Sequence, residues 1–283
     1  MSSLQLSWIE GVLAGPRLMR RRPGAMLSWV LVALAGGLVV SAARFWLFRG
    51  ALRSNFAAAA GWSSLVGTVV NLFLLAVLGA AIIRAEAGER GSGWPRLGGD
   101  ELRLLALTLP LMLVFVIGFV VISAASGMVF GWFPKGQGPG VAAVITTILL
   151  GVSGARLGLA APMTIAEKRL RLWSALTLTR GYYVPLVLIF LATILASVAI
   201  VFGWTYAREA LTIAVNATHA TGLSEQATSD ALRAFILDPR RLALDVLGAL
   251  AITVALVIHV APLAYAYRQL RGDPILDRVA VFE

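Results

Sequence analysis

The chain has 283 residues, of which 59% are hydrophobic and only 13% charged, too few polar side chains to solvate a globule of this size. It contains no cysteine, which excludes disulfide frameworks, zinc-thiolate and iron-sulfur sites and a thiol nucleophile. The net charge of +10 would suggest nucleic acid in a soluble protein, but the arginines flank long apolar runs, where they orient a membrane chain and meet anionic headgroups. Nucleic acid is therefore not an expected partner. Only Lys135 and Lys168 among the 24 basic residues are lysines, a bias that fits a GC-rich bacterial genome and makes the sequon at Asn216 accidental.

Residues 3–22 are expected to form an interfacial helix, with Leu6, Ile9, Val12 and Leu13 on one face and Ser7 to Glu10 matching a capping box. Arg20, Arg21 and Arg22 follow at headgroup level. Six apolar runs then have the length of a bilayer core: 24–47, 61–83, 104–128, 141–161, 182–204 and 242–266. The first follows a basic flank and ends in small residues, as a signal peptide does, but it is long for one and reads as an uncleaved span. Trp29, Trp46, Trp132, Trp204 and Tyr182 lie near span ends, where amphipathic rings favour the interface.

Counting lysine and arginine in alternate loops gives sixteen for the N-terminus, 84–103, 155–180 and the C-terminus, against eight for the others. Both termini are thus expected to be cytoplasmic. The loop 84–99 is glycine-rich and runs into Asp100 and Glu101, which suit the positive start of a helix. The stretch 205–241 is expected to form two short helices on the outer face, broken at Thr221-Gly222, with Asp238-Pro239 opening the last span. A weak internal echo aligns Glu10 to Ala35 with Glu167 to Ala192.

The fourth span carries Gly151, Gly154 and Gly158 on one helical face, a spacing that lets another helix backbone approach closely. Packing within the chain is the preferred reading and a homodimer interface the alternative. Arg156 lies in its last turns, where a long side chain snorkels to headgroups or pairs with a carboxylate such as Glu167. Pro162 is expected to kink or end the span. Beyond it Ile165, Leu172, Trp173 and Leu176 would share one side of an interfacial helix, with Glu167, Lys168 and Arg171 on the other and Arg169 snorkelling from the apolar side. Arg156, Lys168, Arg169 and Arg171, with Arg20, Arg21 and Arg22, are the candidate contacts to anionic lipid headgroups.

Catalytic groups are sparse. His259 is an intramembrane histidine without a partner motif and reads as a packing residue, and His219 lies in the outer segment. Starting motifs for zinc protease, serine hydrolase and P-loop chemistry are absent. No catalytic, metal or cofactor residue is assigned, and an enzyme is not expected. Transport is the alternative function, resting on Asn71, Gly36-Gly37, Pro110 and Asp245 as polar or helix-breaking features within or near spans.

The residues Arg156, Ala160-Ala161-Pro162, Glu167 and Ser174 to Gly181 ("SALTLTRG") before a new span resemble the membrane-domain family attached to some glycerophosphoryl diester phosphodiesterases. They also resemble the related YciC-type bacterial inner-membrane proteins, and "EGVLAGPRLMRRRPG" before the first span is similar to the opening of these proteins. The resemblance implies a six-span helical inner-membrane protein without phosphodiesterase activity, because no catalytic barrel is present. The sequence thus points to one all-α integral membrane domain over 1–283, a non-enzymatic accessory or lipid-contacting scaffold, alone or with a membrane-protein partner.

Overall fold

The computed structural model describes residues 7–51, 56–88, 94–129, 157–170, 172–216 and 239–271, and every regular element among them is a helix. In chain order these are α1 (Trp8–Arg21), α2 (Pro23–Ala51), α3 (Phe56–Glu86), α4 (Gly99–Val129), α5 (Ala160–Glu167), α6 (Leu172–Leu178), α7 (Tyr183–Asn216) and α8 (Pro239–Arg271). Helix is the form that pairs all backbone groups within one apolar segment, so long hydrophobic runs adopt it in lipid. Among the described residues four segments are long and apolar enough to cross a membrane: Pro23–Ala43, Leu65–Glu86, Tyr183–Ala207 and Ala243–Arg271. Their outer faces expose large apolar side chains, among them Leu31 and Val39 on α2, Phe73 on α3, Phe202 on α7 and Ile252 on α8. Contiguous exposed apolar surface of this kind fits lipid contact.

Helix starts follow local chemistry. The Glu10 N–H donates to Ser7 Oγ at 3.4 Å, half of the expected capping box. The Glu10 carboxylate does not close the box; it accepts a hydrogen bond from Tyr265 Oη at 2.8 Å. Proline opens α2 and α8, at Pro23 and Pro239, where its missing N–H leaves no helical bond unmade. Asp100 and Glu101 occupy the first turn of α4, as expected from the helix dipole.

Ends were harder to place. The helix expected to stop at 204 runs on to Asn216, because nothing in "TYAREALTIAVN" breaks the ladder. Residues 205–216 are therefore a continuation of α7 and not a separate surface helix; residues 217–238 lie outside the described set. The single interfacial helix expected after Pro162 is two short helices. α5 ends at Glu167, Lys168 adopts a left-handed backbone (φ 54°), and α6 begins at Leu172. Arg171 lies outside the described residues, and with it the expected pairing to Glu167. The break lets Ile165 from α5 and Ala175 from α6 each enter the core, while Trp173 remains 78% exposed. Pro162 sits in the first turn of α5, where no intrahelical partner is forfeited.

The described residues fall into two compact units: the first from Met1–Arg21, Leu75–Ile194 and Val257–Glu283, the second from Arg22–Leu74 and Leu195–Leu256. In the first, Ala80 and Ile83 of α3, Leu104 of α4, Met163 of α5, Leu186 and Phe190 of α7 and Ala264 of α8 belong to one buried cluster. In the second, Ser197 Oγ donates to the Ala255 carbonyl at 2.8 Å, tying α7 to α8. Trp29 is fully buried there, not interfacial: with Ala33 and Gly36 it forms the inward stripe of α2 at i, i+4 and i+7. The two halves of the internal echo differ locally, since Gly24 is helical within α2 whereas Gly181 turns the chain at φ 90°.

Candidate functional site

The candidate lipid contacts are distributed over several elements. Arg20 and Arg21 are exposed in the last turn of α1, Arg22 is partly buried between α1 and α2, and Lys168 and Arg169 are exposed between α5 and α6. Arg156, Gly151 and Gly154 lie outside the described residues, and Gly158 is found in the turn before α5 and not on a span face. Three tryptophans of the first unit are also exposed: Trp8 on α1, Trp94 between α3 and α4, and Trp173 on α6. Arg17, Arg96 and Arg180 are exposed in the same three segments. Aromatic rings with arginines and lysines are the side chains suited to the headgroup layer.

Among the described residues a close helix contact is found at α1. In α1, Gly11, Ala14, Gly15 and Leu18 form the buried face. A Cβ at Gly15 would lie 2.9 Å from Ile258 Cα and 3.1 Å from the Val257 carbonyl, so the backbones of α1 and α8 touch. The signal was present as "GVLAG", two glycines four apart. It was passed over because α1 read as a helix facing lipid and not as one packed against protein. Its lipid-type side chains, Trp8, Ile9 and Leu13, do remain exposed.

Asp100 and Glu101, expected at the start of α4, also meet a buried cation of α3, a pairing not expected from the sequence. Arg84, near the end of α3, is 1% exposed and its Nη2 lies 2.6 Å from Oε1 of Glu101, itself 3% exposed. Asp100 stands 3.7 Å from Arg84 and accepts from Arg103 at 2.9 Å. The ion pair joins the negative end of α3 to the positive start of α4, so both charges are also placed favourably for the helix dipoles. The usable sequence signal was a cation at one helix end and two carboxylates at the next start. On α8, Arg268 donates to the main-chain carbonyl of Glu86 and lies 3.5 Å from its carboxylate, capping the end of α3 from another element. Arg271, one turn further, donates to Tyr267 Oη at 3.0 Å.

Between these groups is a pocket of about 80 Å³. Arg84, Arg268, Arg271 and Tyr267 supply its polar wall, and Ile83, Pro162, Ile165 and Ala264 its apolar one. The Nε of Arg268 is buried without a hydrogen-bond acceptor among the described residues. A buried donor left this way costs about 1–3 kcal/mol.

Asn71, one of the positions behind the transport alternative, does not line this pocket. Asn71 is exposed on α3, and His259 packs edge-on against Phe190, ring centroids 5.2 Å apart. Among the described residues no three histidine, aspartate or glutamate side chains gather to hold a metal. Fold and surface together define a membrane-embedded helical protein with a basic, tryptophan-bearing unit. Comparisons with protein families, curated proteins and solved structures find no match for this chain.

Proposed function

We propose that this is a six-span bacterial inner-membrane protein with cytoplasmic termini, acting as a non-enzymatic accessory or lipid-contacting scaffold, alone or within a larger membrane assembly. Beyond the four apolar segments, α4 covers the third expected span and 141–161 would be the fourth. The resemblance to the membrane domains of glycerophosphoryl diester phosphodiesterases and to YciC-type proteins belongs to the same proposal. The observation that carries the lipid reading is the coincidence, within one unit, of exposed Trp8, Trp94 and Trp173 with exposed Arg20, Arg21, Lys168 and Arg169. Each basic residue near an anionic surface contributes about 1 kcal/mol, and tryptophan anchors at the same depth.

Purified protein is accordingly expected to retain phosphatidylglycerol over phosphatidylcholine. Replacing Arg20, Arg21, Lys168 and Arg169 together by glutamine should weaken that preference by about tenfold or more, read by mass spectrometry of the co-purified lipid. Equal retention of both lipids, unaffected by the variant, would sink the reading.

Topology has its own test, made clean by the absence of native cysteine. Single cysteines at Ser2, Ser92 and Ser174 are expected to react with a membrane-impermeant maleimide only after the inner leaflet is opened. Labelling of intact cells at any of the three would reverse the assigned side.

A further inference from the structure

Among the described residues around the pocket at the ends of α3 and α8, four arginines (Arg84, Arg103, Arg268, Arg271) meet three carboxylates (Glu86, Asp100, Glu101). The carboxylates engage Arg84, Arg103 and Arg268, and none of them lines the pocket. Among these described groups the cation without a carboxylate is Arg271, which is exposed at the pocket and bonded to the Tyr267 phenol. A guanidinium carries five N–H donors, so one bond to a phenol leaves most of its fork available. Arg268 adds a buried Nε–H without an acceptor. The space, about 80 Å³, holds several waters or one small polyatomic anion. Ile83, Pro162, Ile165 and Ala264 keep the opposite wall apolar, which strengthens charge-assisted bonds made there.

We propose that this pocket binds a single phosphate group through Arg268 and Arg271, supplied by an anionic phospholipid headgroup or by free phosphate. Planar guanidinium forks match tetrahedral oxyanions in pairs of bonds, and a phosphodiester carries the one negative charge that balances the site. The headgroup source rests on the membrane reading above; the free-anion source does not.

The test uses the full chain in phosphatidylcholine nanodiscs, with two arms. One titrates inorganic phosphate against chloride at constant ionic strength and follows the thermal midpoint; the other replaces part of the phosphatidylcholine by phosphatidylglycerol and counts bound lipid by mass spectrometry. Arg271→Gln, at an exposed site without a carboxylate partner among the described residues, and Arg268→Lys, which keeps charge but removes Nε, are each expected to weaken binding about tenfold. In the phosphate arm Arg20→Gln with Arg21→Gln removes more charge, yet should change affinity less than about twofold, because it touches only the diffuse surface field.

Loss confined to the lipid arm assigns the headgroup, and loss confined to the phosphate arm assigns the free anion; both support the pocket. Phosphatidylglycerol preference that persists unchanged in Arg271→Gln and Arg268→Lys, with no phosphate effect, overturns the pocket and leaves the lipid-surface reading intact. Equal weakening of free-phosphate binding by the α1 double variant also overturns it. Absence of any phosphatidylglycerol preference in the parent chain, with Arg271-dependent phosphate stabilisation retained, sinks the lipid surface and leaves the pocket.

Discussion

Arg84→Met is expected to destabilise the protein by about 3–5 kcal/mol, the usual consequence of removing one partner of a buried ion pair. The reason is less the lost attraction than what remains: Glu101, 3% exposed and 2.6 Å from the missing guanidinium, would keep its charge in a medium that solvates it poorly. Asp100 would be spared, since Arg103 holds it at 2.9 Å. The double replacement Arg84→Met with Glu101→Leu should recover most of the loss, because an apolar pair of similar volume removes both the charges and their desolvation. Thermal unfolding in a fixed detergent compares the three chains. A single-variant loss below about 1 kcal/mol would place this pair among exposed surface bridges and contradict its burial.

Gly15→Ala is expected to cost about 1–3 kcal/mol, and Gly15→Leu more, by forcing α1 off α8. The contrast with Gly11 makes the prediction specific. A Cβ at Gly11 would come closer to its neighbour, 2.6 Å, but that neighbour is the Cδ1 tip of Ile189, which can rotate away. At Gly15 the obstacles are Ile258 Cα at 2.9 Å and the Val257 carbonyl at 3.1 Å, which move only if the helix moves. Alanine at Gly11 also gains about 1 kcal/mol of helix propensity, so Gly11→Ala should be close to neutral. The same unfolding measurement decides, and equal effects at the two positions would show that the α1–α8 contact is not as close as the backbone distances make it.

Some of this was written locally in the chain. Hydropathy over some twenty residues marks a long apolar segment whatever surrounds it, so α2, α3, α4, α7 and α8 are each legible in the sequence. Short-range chemistry did as well: Ser7 before α1, Pro239 opening α8 and the acidic first turn of α4 all act within one helical turn. The preference for arginine beside apolar runs and for exposed Trp8, Trp94 and Trp173 near them is likewise a property of composition and position.

What the sequence by itself determined, then, is the solvent this chain is built for, the helices that meet that solvent and the excess of positive charge at their ends. Only the tertiary structure decided which faces turn inward and which charges meet. Trp29 looks interfacial by its place along α2 and is fully buried by its angle around it, and that angle has meaning only once a neighbouring helix is present. The pairing of Arg84 with Glu101, of Arg268 with the end of α3, and of Gly15 with the α8 backbone joins residues from different helices. Lys168 leaves the helical region because Ile165 and Ala175 both gain burial when it does, an advantage no local pattern encodes. Hydropathy is a property of single segments, whereas helix phase and charge pairing are properties of contacts, and the phosphate-sized pocket arises from contacts alone.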